Sequence, residues 1–166
     1  MDFKAVAELT EKYKKIIALS DGVDVALLPK KADGRTIMLK DVFRIDTAML
    51  MMFLSAVDGT LSRSEVDLMD AVTGHNTDAK TLAKLIKEYK LNSVKFAMKT
   101  PKALQIAVKF GKGKSDFSLA NEMVSFLGGF GALLIDSYNG VEKSEKAGLE
   151  IYLANLEAYL KKHLTF

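Results

Sequence analysis

Four acids at two helix-like junctions carry the residue types best suited to chemistry: Asp58 with Glu65, and Asp136 with Glu145. The run Asp58-Gly59-Thr60-Leu61-Ser62-Arg63-Ser64-Glu65 has the spacing of the second half of a helix–loop–helix calcium loop, including its glycine and closing glutamate. Carboxylate oxygens are hard ligands and suit Ca²⁺ or Mg²⁺. The first half of such a loop is missing, because its two side-chain ligands would fall on Leu54 and Ala56, which offer no oxygen. A standard high-affinity loop is therefore excluded, whereas a weak site completed by water is compatible with the sequence. The same residues also read as a capping box, in which the Ser62 side chain takes the Glu65 amide and Glu65 reaches back to the Ser62 amide. Both readings put negative charge at a helix amino end, where backbone amides favour it.

Other chemistries find little support. The chain has no cysteine, which removes disulfides, thiolate metal sites and thiol redox chemistry together. Its two histidines, His75 and His163, lie far apart with no ligand-spaced partner, so a zinc site is not expected. Gly113-Lys114-Ser115 ends like a phosphate-binding loop, yet the first glycine of that motif falls on Val108. No GxSxG nucleophile motif occurs. Met49, Met51 and Met52 read as adaptable packing in a core helix rather than as a soft-metal site. An acid/base pair of Asp58 and Glu65 would need a substrate cleft that the sequence does not reveal. The chain is accordingly read as non-enzymatic.

The elements that must position these acids centre on Ile45 to Val72: an apolar helix, an Asp-Gly break and an amphipathic helix. The pattern recurs, since Met123 to Leu134 is again apolar and leads through Asp136 and Gly140 to Lys143-Ser144-Glu145, matching Arg63-Ser64-Glu65. This points to a pseudo-repeat of two helical hairpins with their buried helices packed together.

Around this core, Asp2 to Ser20 shows helical periodicity through Val6, Leu9, Tyr13, Ile16 and Ile17. Residues 21–40 hold two short β-prone runs around PKKADG, a hairpin or an extended connection. The central helix is expected from Asp41 and is apolar on all sides from Ala48, with Gly74 stopping the helix after it. Asn76-Thr77-Asp78 should cap a helix that buries Leu82, Leu85, Ile86 and Tyr89. Thr100-Pro101 should open another, with Thr100 as cap, and Gly111-Lys112-Gly113 should end it. Ser115 or Asp116 should cap the second central helix, whose Gly128, Gly129 and Gly131 would admit a close neighbour. A last helix, from about Glu142 to Leu164, carries a leucine stripe that could cover the core or seam a homodimer.

Taken together, the buried helix, the AVDGTLSRSE junction, the TPKAL helix and the second apolar helix with its acidic turn resemble the TerB-like, tellurite-resistance family of helical domains. The match runs from about Asp41 to Leu164, and Asp58, Gly59 and Glu65 fit the family signature position by position. The second copy departs from it, with Asp136 nine residues before Glu145 rather than seven. The resemblance implies an all-helical pseudo-repeat, acidic junction residues as metal ligands, and a role in tellurite, metal or general stress response.

The expected architecture is thus all-α: one domain, 1–166, of about seven helices, with 1–40 as an N-terminal helix plus connection and 41–164 as the family-like core. Hydrophobic content of 49% with 27% charged residues is globular, and two prolines favour long helices. The N-terminus lacks the basic-then-apolar layout of a secretory leader, and neither apolar run reaches about 20 residues, so a cytoplasmic chain without a membrane span is expected. Charge is divided. Residues 41–78 hold seven acids against Arg44 and Arg63, whereas 79–114 hold ten lysines against Glu88 alone. That lysine-rich side could meet an acidic protein, an anionic membrane surface or nucleic acid, although the absence of arginine and of interleaved aromatics argues against nucleic acid. An unidentified protein partner is the expectation.

Overall fold

The computed structural model describes residues 2–58, 62–76, 78, 80, 82, 84, 94–136 and 143–164, without the side chains of 56–58, 94, 95, 143 and 144. The described residues are predominantly helical, with no strand among them. In order the helices are α1 (Phe3–Ser20), α2 (Leu39–Asp58), α3 (Arg63–Thr73), a single turn α4 (Val94–Ala97), α5 (Lys102–Lys114), α6 (Ser118–Asp136) and α7 (Lys143–His163). A bundle of helices is therefore established. Most of the helix expected after Asp78 lies outside the described residues, including Leu85, Ile86 and Tyr89. Its start is visible, since the Asp78 carboxylate accepts from the Lys80 amide at 3.0 Å and Leu82 is buried.

Helices α2 and α6 form the centre, where their apolar runs are enclosed by the other helices. α2 packs against α5, α6 and α7, and α6 also meets α1, α5 and α7. Rings lock the middle of this arrangement: Tyr13 of α1, Phe43 of α2 and Phe126 of α6 have centroids 5.5–6.0 Å apart, and Phe126 stacks on Phe130 at 5.7 Å. Such pairs add roughly 0.5–1.5 kcal/mol each beyond burial. Burial also pushes the Tyr13 hydroxyl up to about 12, because the phenolate would be poorly solvated. Leu50 and Leu134 are fully buried, while the neighbouring Leu133 is only half-buried.

Several local expectations change. Residues 21–40 form neither a pair of strands nor a plain connection. A 3₁₀ turn at Val25–Leu27 is followed by one isolated antiparallel bridge between Lys30 and Thr36, closed around Gly34 at φ 87°. α2 begins two residues earlier than expected, at Leu39. Gly111 and Gly113 do not end α5, which runs to Lys114 and stops at Ser115 in the left-handed region, φ 53°. Gly111 serves a different purpose: a Cβ there would stand 2.7 Å from Phe117 Cδ1 and 2.8 Å from the Asp116 carbonyl oxygen, so its absence lets the chain turn tightly into α6. Asp116 then caps α6 by accepting from the Ser118 amide at 2.9 Å and from the Ser118 hydroxyl, which together hold its carboxyl below the ordinary range.

Other expectations stand. Gly74 ends α3 at φ 75°, and a Cβ on Gly131 would lie 2.5 Å from Leu149 Cδ1, so α6 and α7 approach closely there. The stripe of α7 is spent on the core, with Leu149, Leu156 and Leu160 buried and Leu153 and Leu164 packed at its edge. α6 is long and apolar enough to cross a membrane by length and composition alone, yet 56% of its most apolar window is buried inside the protein. The core helix of a folded domain meets the same test.

Two substitutions in α5 should separate packing from propensity. Gly113→Ala, with open space around it, should stabilise the protein by up to about 1 kcal/mol. Gly111→Ala should destabilise it despite the same gain in helix propensity, because the added methyl meets backbone as well as ring. Thermal unfolding of the two variants reads the difference, and equal effects would mean that the tight turn into α6 is not held by Gly111. Leu50→Asp places a charge at a fully buried position and should cost several kcal/mol.

Candidate functional site

From Ser62 onward the first acidic junction carries the cap that the sequence suggests. Ser62 takes the extended conformation of an N-cap, its hydroxyl accepts from the Glu65 amide at 3.2 Å, and Glu65 Oε2 accepts from the Ser62 amide at 2.9 Å. The capping reading of Ser62 and Glu65 is thus realised in full. Glu65 is nonetheless buried, 1% exposed, which few capping glutamates are. Asp58 is the last residue of α2, but its carboxylate and residues 59–61 lie outside the described part of the structure.

At the second junction Asp136 is the last residue of α6 and is exposed, whereas Glu145, in the first turn of α7, is only 2% exposed. Residues 137–142 again lie outside the described set. Each hairpin therefore places a buried glutamate third in the helix after the junction: Glu65 after Arg63-Ser64, Glu145 after Lys143-Ser144. Among the described residues no group of three or more histidine, aspartate or glutamate side chains converges on one point. The histidines are engaged with cations. Arg44 Nη1 lies 2.9 Å from His75 Nε2, and Lys112 Nζ lies 3.0 Å from His163 Nδ1. Partial burial and the charges of Lys112 and Lys162 hold His163 below its ordinary range.

A second place lies at the amino end of α5. Thr100 does not cap α5; its carbonyl accepts from Gln105 Nε2 at 2.9 Å, and Pro101, at the N-cap position, has no side-chain acceptor. The cap comes instead from α2, where Asp46 Oδ2 accepts from the Ala103 amide at 2.8 Å across 57 residues of sequence. Asp46 is 9% exposed, and burial pushes its carboxyl up to about 6 from the usual 3.8, opposed by the amides of Ala103 and Lys102. Beside it opens a cavity of about 200 Å³ lined by Asp46, Met49, Phe96, Lys99, Thr100, Pro101, Lys102 and Tyr152. Phe96 stacks on Tyr152 at 6.3 Å and meets Phe53 at 5.1 Å, so one wall is aromatic. Tyr152 is buried, and burial, with the Asp46 charge added, raises its hydroxyl far above the ordinary range. The cavity does not coincide with the first junction, because Asp46 stands twelve residues before Asp58 on one helix, roughly 18 Å along its axis. A signal for Asp46 was present in the sequence: it is an acid in a helix where Val42, Phe43, Met49 and Leu50 all turn inward.

Compared with known proteins, the chain matches no family model, no curated sequence and no solved structure.

The raised pKa of Asp46 fixes a pH dependence. The folded chain holds this proton more tightly than the unfolded chain does, so stability that is complete below about pH 4 is lost as the pH rises through 6. A shift of this size corresponds to on the order of 3 kcal/mol at neutral pH. Asp46→Asn keeps an acceptor for Ala103 and removes the titration. Between pH 4 and 7 the stability of the natural chain should therefore fall relative to that of the variant. Parallel curves in chemical unfolding would show that Asp46 does not titrate in this range.

Proposed function

We propose that the chain is a non-enzymatic, TerB-like helical module whose acidic helix junctions hold a hard divalent ion, Ca²⁺ or Mg²⁺, and that it serves in a tellurite, metal or general stress response in the cytoplasm. The observation that carries this reading is the burial of Glu65 and Glu145 at matching positions after the two junctions. Buried carboxylates call for hydrogen-bond donors, a paired charge or a cation. Asp58 and Asp136 are the second acids of their junctions, Asp58 in the motif that resembles the family. An architecture of about seven helices belongs to this proposal, and so does the pseudo-repeat, which rests on the parallel between Arg63-Ser64-Glu65 and Lys143-Ser144-Glu145. With half a calcium loop, dissociation constants should be on the order of 10⁻⁴–10⁻³ M.

A second reading has an observation of its own. Lys80, Lys84, Lys99, Lys102, Lys109 and Lys114 are exposed, and none forms an ion pair among the described residues. Such a face favours an anionic surface or an acidic protein partner.

Titration with Ca²⁺ and Mg²⁺, followed by amide NMR shifts, distinguishes the two. The ion reading expects movement around residues 59–65 and 140–145 at millimolar ion, abolished in the first region by Asp58→Asn. If nothing moves there, and Glu65→Ala costs only the 0.5–2 kcal/mol of a lost cap, Glu65 is a capping residue alone. The lysine reading expects retention on heparin that falls steeply with salt and is lost when Lys84, Lys102 and Lys109 are changed to glutamate.

A further inference from the structure

The cavity at the amino end of α5 combines three chemistries within about 200 Å³, and its acid is buried. Inside are the Asp46 carboxyl and the Tyr152 ring, each at least nine-tenths buried. Met49 and Phe96 add apolar lining, and the exposed Lys99 and Lys102 contribute positive charge. Among the described residues no side-chain cation pairs with Asp46. The amides of Lys102 and Ala103 orient its carboxyl without neutralising it.

Charge decides what such a space can hold. A simple carboxylic acid would suit the lysines and meet Asp46 with like charge. An amine would suit Asp46 and the aromatic wall, and would face two lysines. A neutral apolar molecule would leave the buried carboxylate uncompensated, which is costly. A molecule carrying both charges satisfies both sets of residues. Size sets a second limit, because the cavity is below the roughly 300–1,000 Å³ of sites for drug-sized ligands.

We propose that this cavity binds a small apolar amino acid, its ammonium group on Asp46, its carboxylate toward Lys99 and Lys102, and its hydrocarbon part against Met49, Phe96 and Tyr152. Asp46 and Lys102 then act from both sides of the α5 amino end, so that binding fastens α5 to α2. At pH 7.5 the Asp46 carboxyl, with its pKa of about 6, is ionised and able to receive the ammonium group. This assignment is independent of the ion site at the junctions.

The test uses the full chain at pH 7.5 with L-leucine, L-phenylalanine and 6-aminohexanoate, each at millimolar concentration, read by calorimetry and by amide NMR shifts. At least one should bind and move the amides of residues 99–103, while its N-acetylated form and its amine lacking the carboxylate should bind roughly tenfold to a hundredfold more weakly. Lys99→Ala combined with Lys102→Ala changes only exposed side chains and should weaken binding by a similar factor, as should Asp46→Asn. Should Asp46→Asn fail to fold, the lysine variant and the blocked ligands carry the test. Absence of binding by all three amino acids overturns the proposal, as does equal binding of the N-acetylated form.

Discussion

The constraint on which the structure depends is that α2 is apolar on nearly every side and must be enclosed. A helix of 20 residues cannot bury its whole circumference against one neighbour, so α1, α5, α6 and α7 all come to it. Its polar residues obey the same constraint. Thr47 and Ser55 are fully buried and return their hydroxyls to the carbonyls of Phe43 and Met51 at 2.9 and 2.8 Å, which satisfies them without any partner outside the helix. Asp46 cannot do this, since a carboxylate has no proton to give a carbonyl. It needs donors from elsewhere, and the amino end of α5 supplies them.

Features decided within one turn of chain were legible in the sequence. Ser62 and Glu65 cap each other because the partners are three residues apart, and Gly74 stops α3 because its own φ is left-handed. The two central helices could be read from apolarity alone. Features decided by distant contacts were not legible. Thr100 looked like the cap of α5, yet the acceptor that reaches the Ala103 amide arrives from α2. Gly111 looked like a stop, yet its role depends on where Phe117 lies after the turn. The β-prone residues of 21–40 have no neighbouring strand among the described residues with which to form a ladder, and they make a single bridge. Of the candidate site, Glu65 and Glu145 are buried and Asp136 is exposed, which depends on how the helices pack and so was not legible in the sequence.

Three carboxylates are buried among the described residues, and each stands at the amino end of a helix: Glu65 in α3, Glu145 in α7, and Asp46 facing α5. Backbone amides there are unpaired within the helix and carry partial positive charge, so they are the protein's own substitute for water around an anion. In a chain without cysteine, and with both histidines facing cations, these amino ends are the principal means of keeping a charge inside.

Glu65 and Asp46 differ in what holds them, and that difference bears on function. The capping box of Glu65 is local, so it persists wherever α3 persists. Asp46 joins residues far apart in sequence, and its contact exists only while α2 and α5 are docked. Any ligand that binds Asp46 only in the docked arrangement therefore favours that docking, by the linkage that makes binding to the folded state a contribution to stability. A buried acid that retains a desolvation cost, beside an aromatic wall and two exposed lysines, is thus a place where binding would be coupled directly to the packing of α2 against α5.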